Sequence, residues 1–225
     1  CASTISCFTP AGAVATADAA LKGLVVDLRG NEGGLDAGNP LLARFIDAPV
    51  TLPRYRRVVR YRSAPEALRP ALDTWDRSFL DWGAAAVGPD SAGAYRLLKW
   101  NADTSAGVTI RPEGTRYRGR VWVLVGAANS SATFQFALAV KRAGVAKLVG
   151  QPTGGNRRGI NGSAFVFLRL ARTGLEVDLP LVAGFPVTDE PDAGVDPDVL
   201  VRPTVDQIAK GIDAEMATIE RLVRR

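Results

Sequence analysis

Histidine is missing altogether from this 225-residue chain. Without it the chain holds no Ser-His-Asp triad of its own, no imidazole-bound metal and no imidazole proton shuttle. Cysteine is nearly as scarce: Cys1 and Cys7 are the only two, too few to close a zinc site. If residues 1–8 run extended, steps of about 3.3 Å hold these two about 20 Å apart, beyond the reach of a mutual disulfide. Cysteine usage therefore leaves the redox compartment open. No apolar run approaches the roughly 18 residues of a membrane-spanning helix, and there is no internal repeat or low-complexity tract. The chain also lacks an initiator Met and a signal peptide, so it reads as the back part of something longer. A leading Cys would alternatively suit the lipid-bearing residue of a mature lipoprotein, although no spacer separates it from the first strand.

What is present predicts a sizeable core. With 47% hydrophobic residues the chain has enough apolar side chains for one domain. Its 28 basic and 23 acidic residues leave a net charge of +5, spread along the sequence, which permits acidic partners without demanding them. Residues 2–8 alternate as a strand, and Thr9-Pro10 opens a helix that an Ala-rich run carries to Leu21. GLVVDL (23–28) is a continuous apolar strand of the kind buried on both faces of a parallel sheet. It ends in RGNEGG (29–34), and LLARFI (41–46) suggests the following helix.

Residues 49–118 read as an insertion covering the sheet. Within them YRRVVRYR (55–62) looks like an exposed edge strand guarded by charge rather than a nucleic-acid groove. Trp75, Phe79 and Trp82 recur at helical spacing, a packing face more than a ligand cage. Order returns with the strand ending in VWVLV (121–125), a helix over 131–143 and the strand KLVG (147–150). A Gly-rich loop (151–163) then leads into a hairpin over 164–182. From Thr204, which forms a capping-box pattern with Gln207, one apolar stripe predicts a single amphipathic helix: Val205, Ile208, Ile212, Met216, Ile219 and Leu222. Strand and helix in alternation argue for an α/β fold.

Three stretches carry chemistry: DLRGNEGG (27–34), the turn holding Ser130 and Ser131, and VGQPTGGNRRG (149–159). Each follows a predicted core strand, at the sheet edge where α/β proteins bind ligands. A glycine run leaves backbone N–H groups unobstructed, and two such donors aimed at one point form an oxyanion hole. A serine opening a helix adds the next N–H and the positive end of the helix dipole. The plainer alternative is that the serines cap the helix. The loop 154–162 has the glycines to cradle a phosphate but lacks a Walker Lys-Ser pair.

DLRGNEGG resembles the DLR-N-x-GG element of the S41 serine peptidases, the C-terminal processing and tricorn-core family. NSSATFQFALAVKRAGVAKLVGQPTGG (129–155) is similar to that family's serine helix and the segment after it, PDAGVDPDVLV (191–201) to its closing strand, and ISCFTP (5–10) to the stretch preceding the first motif. The resemblance implies an α/β ClpP/crotonase-like core with a mostly parallel sheet, flanking helices and a β-hairpin. It implies peptide or protein substrates, no cofactor, no metal and no nucleic acid, and it leans towards an extracytoplasmic location. Carried over by position, the nucleophile falls on Ser131 and the oxyanion donors on the backbone of Gly33 or Gly34 and of Ala132. The general-base lysine of the processing branch is replaced by Asn156, and Arg157 and Arg158 cannot act for it because a guanidinium stays protonated.

The tricorn-like branch uses a histidine from a region well upstream, so the resemblance implies a base outside this chain, with Asn156 positioning substrate or base. Glu190 and Asp192 bracket, around Pro191, the place of a supporting carboxylate; a solvated acidic turn is the alternative there. Arg157, Arg158, Gly154 and Gly155 are the expected substrate-binding positions. A peptide-binding module that has lost catalysis and an acyl-CoA enzyme with the same oxyanion architecture are the competing readings.

Overall fold

The computed structural model describes residues 2–5, 23–34, 38–98 and 108–224. The chain divides into two compact units, one of residues 1–52, 109–157 and 192–225, the other of 53–108 and 158–191. In chain order the elements begin with β1 (Ala2–Ile5), β2 (Gly23–Asp27), helix α1 (Gly38–Leu42) and β3 (Val50–Thr51). Next come β4 (Tyr55–Val59), β5 (Leu72–Asp73), β6 (Ala86–Val87), β7 (Tyr95–Leu97), β8 (Thr109–Ile110) and β9 (Val121–Val125). Helix α2 (Ser131–Ala143) precedes β10 (Lys147–Gly150), β11 (Ile160–Arg169), β12 (Glu176–Pro186), β13 (Val199–Leu200), α3 (Val205–Ala209) and α4 (Ala214–Val223). The helix expected from Thr9-Pro10 to Leu21, the end of the first predicted strand and both cysteines lie outside the described residues.

The first unit is built on a five-stranded sheet, parallel throughout, in the order β1-β2-β9-β10-β13. Its strands are continuous apolar runs because both faces are covered: all five residues of β9 are buried. On one face Ala214 and Ile219 of α4 close over Val25, Trp122, Leu124, Val149 and Val201. Each such aliphatic side chain, fully withdrawn from water, contributes about 1.5–3 kcal/mol. Helix α2 makes the crossover that joins parallel neighbours β9 and β10. It buries Phe134, Phe136, Ala137, Leu138, Ala139 and Val140 and stops at Gly144, whose φ of 64° ends it in a left-handed cap.

The tail departs from the sequence expectation. One helix was predicted from Thr204; there are two, α3 and α4, parted at Gly211 and restarted by Asp213 as N-cap. The Thr204–Gln207 capping box forms. Of the stripe, Ile219 is buried, whereas Val205, Ile208 and Ile212 are exposed, because the break turns the first helix out of register with the second. The segment LLARFI is helical only to Leu42 and continues as turns, yet it still buries Leu42, Phe45 and Ile46.

The charged pair of DLR explains why the second helix starts where it does. The Arg29 guanidinium bonds both carboxylate oxygens of Asp213 (2.9 and 2.8 Å) and both of Asp27 (3.0 and 2.8 Å), and reaches Glu215 at 3.4 Å. Asp213 also caps the N–H of Met216. The Arg29 hydrogen bonds hold the Asp213 carboxyl below the usual carboxylate range, against the opposing effect of its partial burial. A carboxylate lowered on folding contributes stability that is complete above its unfolded value, about pH 4, and is lost as pH falls through the folded one. Stability measured by urea midpoint is therefore expected to fall as pH drops below about 4, and Arg29→Met is expected to flatten that slope. An unchanged slope in the variant would show that this network does not link the strand end to the helix.

The second unit is a six-stranded antiparallel sheet in the order β5-β11-β12-β4-β7-β6, centred on the long β11–β12 hairpin. The predicted hairpin is present and longer than expected. The strand in YRRVVRYR is not an edge: β4 pairs with β12 on one side and β7 on the other. Arg56 is exposed while Val59 enters a core with Phe79, Trp82, Ala86, Leu97, Ala164 and Val182. Phe79 and Trp82 thus form the expected packing face, while Trp75 stays 62% exposed against the rings of Phe79, Phe165 and Phe167. Among the described residues no helix is long and apolar enough to cross a membrane.

Candidate active site

Strands β2, β9 and β10 are neighbours in the parallel sheet, so the turns leaving their carboxyl ends, 28–34, 126–130 and 151–157, are brought together within the first unit. Asn129 joins all three. Its side chain is fully buried. The Nδ2 donates to the carbonyls of Leu28 at 2.5 Å and Asn31 at 3.1 Å, and Oδ1 accepts from the N–H of Gly126 at 2.8 Å. The carbonyl of Asn129 accepts from the N–H of Gly155 at 3.0 Å.

Asn31 makes a second link. Its Oδ1 accepts from the N–H of Gly33 at 2.9 Å and from the hydroxyl of Thr133 at 2.8 Å. The latter bond reaches the first turn of α2, so the glycine turn and the helix start are held as one piece. Ser130 stands at the N-cap position but makes no capping bond; its hydroxyl donates to the carbonyl of Glu32 at 2.6 Å. Capping, the plainer expectation for this pair, is not what the Ser130 side chain does.

Ser131 opens the helix with a φ of 48°. This left-handed region costs a residue with a Cβ about 1–2 kcal/mol. Its hydroxyl has no hydrogen-bond partner among the described residues. Gly33, at φ 111°, lies against it: a Cβ there would sit 2.5 Å from Ser131 Cβ, 3.0 Å from Ser130 O and 3.1 Å from Ala132 N. Only glycine allows both that backbone angle and that approach. Of the two glycine amides, that of Gly33 is spent on Asn31. The N–H of Gly34 and that of Ala132 have no partner among the described residues, and Ala132 sits in the first turn of a 13-residue helix, at its positive end.

The third turn is braced from the segment before β13. Thr153 and Val195 exchange two hydrogen bonds, at 3.2 and 2.8 Å, and the Arg157 N–H donates to Ala193 O at 2.9 Å. Asn156 Nδ2 donates to Asp192 Oδ1 at 2.6 Å, which brings two of the sequence-predicted site residues together. Gly154 and Gly155 serve packing, since a Cβ on either would run into Ala127 O or the Phe134 ring. Arg158 and Glu190 belong to the second unit. Among the described residues no group of three or more His, Cys, Asp or Glu gathers as a metal site.

Asn31, Asn129, Thr133 and Thr153 were not singled out from the sequence. Asn129 carried a faint signal, standing directly before the serine pair. Its burial and its partners a hundred residues upstream do not show in a linear reading.

The sequence profile of peptidase family S41 matches residues 12–201, and the chain belongs to that family. No curated protein matches it at a significant level. Among solved structures it is similar to a candidate peptidase from Parabacteroides merdae ATCC 43184, with 20% identity and a TM-score of 0.54 over 90% of this chain and 52% of that one. Mature CPAF is similar at 17% identity and a TM-score of 0.54, over 95% of this chain and 45% of that one. CPAF complexed with lactacystin gives 18%, 0.53, 90% and 43%. At these identities the likeness is one of fold: a mixed α/β architecture with a parallel sheet and an antiparallel one, as in the S41 peptidases. The chain spans about half the length of these structures.

Proposed function

We propose that this chain is the nucleophile-bearing core of a serine endopeptidase. Ser131 Oγ attacks the carbonyl carbon of the scissile peptide and its proton passes to a base. The N–H groups of Gly34 and Ala132 receive the carbonyl oxygen as it becomes negative. The C–N bond then breaks, the leaving amine takes the proton from the base, and water releases the acyl group from the serine. The observation that carries this reading is the left-handed Ser131 at a strand-to-helix turn, its hydroxyl unpartnered among the described residues, with Gly33 pressed against it. Backbone strain of this kind concentrates at reacting groups, as in the nucleophile elbow of other hydrolases.

The base is assigned to a histidine outside these 225 residues. A neutral amide at Asn156 does not take up the serine proton, and an arginine beside it stays charged. Held by Asp192, Asn156 positions the substrate or that base. We assign Arg157, in the same turn as Asn156, to a carboxylate of the peptide substrate.

A serine-directed fluorophosphonate probe tests the proposal on the protein extended upstream of Cys1. Labelling is expected at Ser131 and is expected to vanish in Ser131→Ala. Ser131→Gly should also abolish labelling while raising stability by about 1 kcal/mol, because glycine takes a positive φ without penalty. The 225-residue chain alone should label roughly a thousandfold more slowly, as expected for a triad without its base. An extended protein that never labels would leave a peptide-binding module and end the proposal.

A further inference from the structure

A second concave site lies away from the serine turn, at the far edge of the parallel sheet. Among the described residues strand β13 is the last in that sheet, paired with β10. Beside it Val201 and Arg202 form one wall of a groove of about 680 Å³, and Ala214, Glu220 and Arg221 of α4, with Arg224 just past its end, line the other side. That volume falls within the range of ligand clefts, about 300–1,000 Å³.

The floor is apolar, from Val201 and Ala214, while Leu200 stands 51% exposed on the strand. The rim is cationic: three arginines against one glutamate. Arg221 spends one donor on the Thr218 hydroxyl at 2.9 Å. Arg202 and Arg224 pair with no carboxylate among the described residues. Unpaired guanidinium groups are forks shaped for carboxylates. An edge strand offers its backbone to another extended chain, and an apolar floor takes that chain's alternate side chains.

We infer that this groove binds an extended, acidic peptide segment along β13, its carboxylates on Arg202, Arg221 and Arg224 and its intervening apolar side chains on Val201 and Ala214. It is a holding site with no bond made or broken. It does not depend on the peptidase reading: Ser131→Ala is expected to bind such a peptide unchanged.

Fluorescence anisotropy with labelled peptides tests this on the 225-residue chain. A short peptide alternating Glu with Val is expected to bind and to weaken as salt rises. Partners alternating Gln or Lys with Val should bind about 10-fold more weakly or not at all. Charge reversal in the double variant Arg202→Glu, Arg224→Glu should weaken the acidic peptide by about 10-fold or more, whereas Arg202→Lys, Arg224→Lys, which keeps the charge and loses the fork, should weaken it less. Both positions are exposed, so an unchanged melting profile is expected for each variant. Hydrogen exchange at residues 199–202 should slow when the acidic peptide is bound. Equal binding of the Glu and Gln peptides would overturn the inference, as would indifference to charge reversal. Displacement by inorganic phosphate at matched charge would reduce the groove to an anion site, and self-association of the chain through this face would replace the peptide with a second copy.

Discussion

Adding one methyl group at Gly33 is expected to cut fluorophosphonate labelling of Ser131 by about 100-fold or more in the protein extended upstream. The methyl in Gly33→Ala would stand 2.5 Å from Ser131 Cβ and 3.1 Å from Ala132 N, closer than carbon atoms approach without something moving. It would also be held at a φ of 111°, outside what an L side chain adopts. Neither neighbour is free to yield. Asn31 clamps the Gly33 N–H and, through Thr133, the first turn of α2; the Ser130 hydroxyl is bonded to Glu32. The shift therefore falls on Ser131 and on the Ala132 N–H beside it, and misplacement by about 1 Å in such a constellation costs about 100-fold. The loss of global stability should be about 1–3 kcal/mol. Labelling and urea unfolding measured on the same variant separate the two effects. A Gly33→Ala protein that labels at the normal rate would show that the glycine turn and the serine do not act together.

Replacing Asn129 by Ala should cost about 3 kcal/mol of stability, the largest loss expected from a single polar residue here. The native side chain is fully buried and makes three hydrogen bonds. Its removal strands the Gly126 N–H and weakens the satisfaction of the Leu28 and Asn31 carbonyls, at about 1–3 kcal/mol for each buried group left without a partner. For a chain of this length that corresponds to a fall in Tm of roughly 6–12 °C. Asn129→Asp should be no better: it keeps the acceptor for Gly126 but places a carboxylate against two carbonyl oxygens it cannot donate to. Because Asn129 joins turns from β2, β9 and β10, both variants should also slow labelling at Ser131 beyond what the unfolded fraction explains. A change in Tm below about 2 °C would mean that water replaces the side chain without loss.

The parts of the fold that were legible are those where a local pattern has one physical solution. VWVLV and KLVG are strands of the parallel sheet because a continuous apolar run bounded by turns is satisfied there on both faces. The capping box at Thr204 formed because its bonds are local. The helix after it failed to continue because Gly211 takes a φ of 64° and Asp213 is drawn to Arg29, a partner in the turn after β2 that no window around residue 213 contains. YRRVVRYR shows the same limit, since charge alternation marks one wet face but not whether a strand has one neighbour or two.

The candidate site divides in the same way. Residue order alone brought Ser130 and Ser131, the glycines after Asp27 and the loop at 151–159 into one hypothesis, and the absence of histidine together with Asn156 in place of a lysine was already visible there. These are matters of which atoms exist. Which serine has a hydroxyl without a partner among the described residues, which glycine amide is committed, and that a buried asparagine joins three turns were decided only in three dimensions. Hydrogen bonds and close approaches at those points link residues about a hundred positions apart, and strain at one φ angle exists only once the surrounding chain holds it in place.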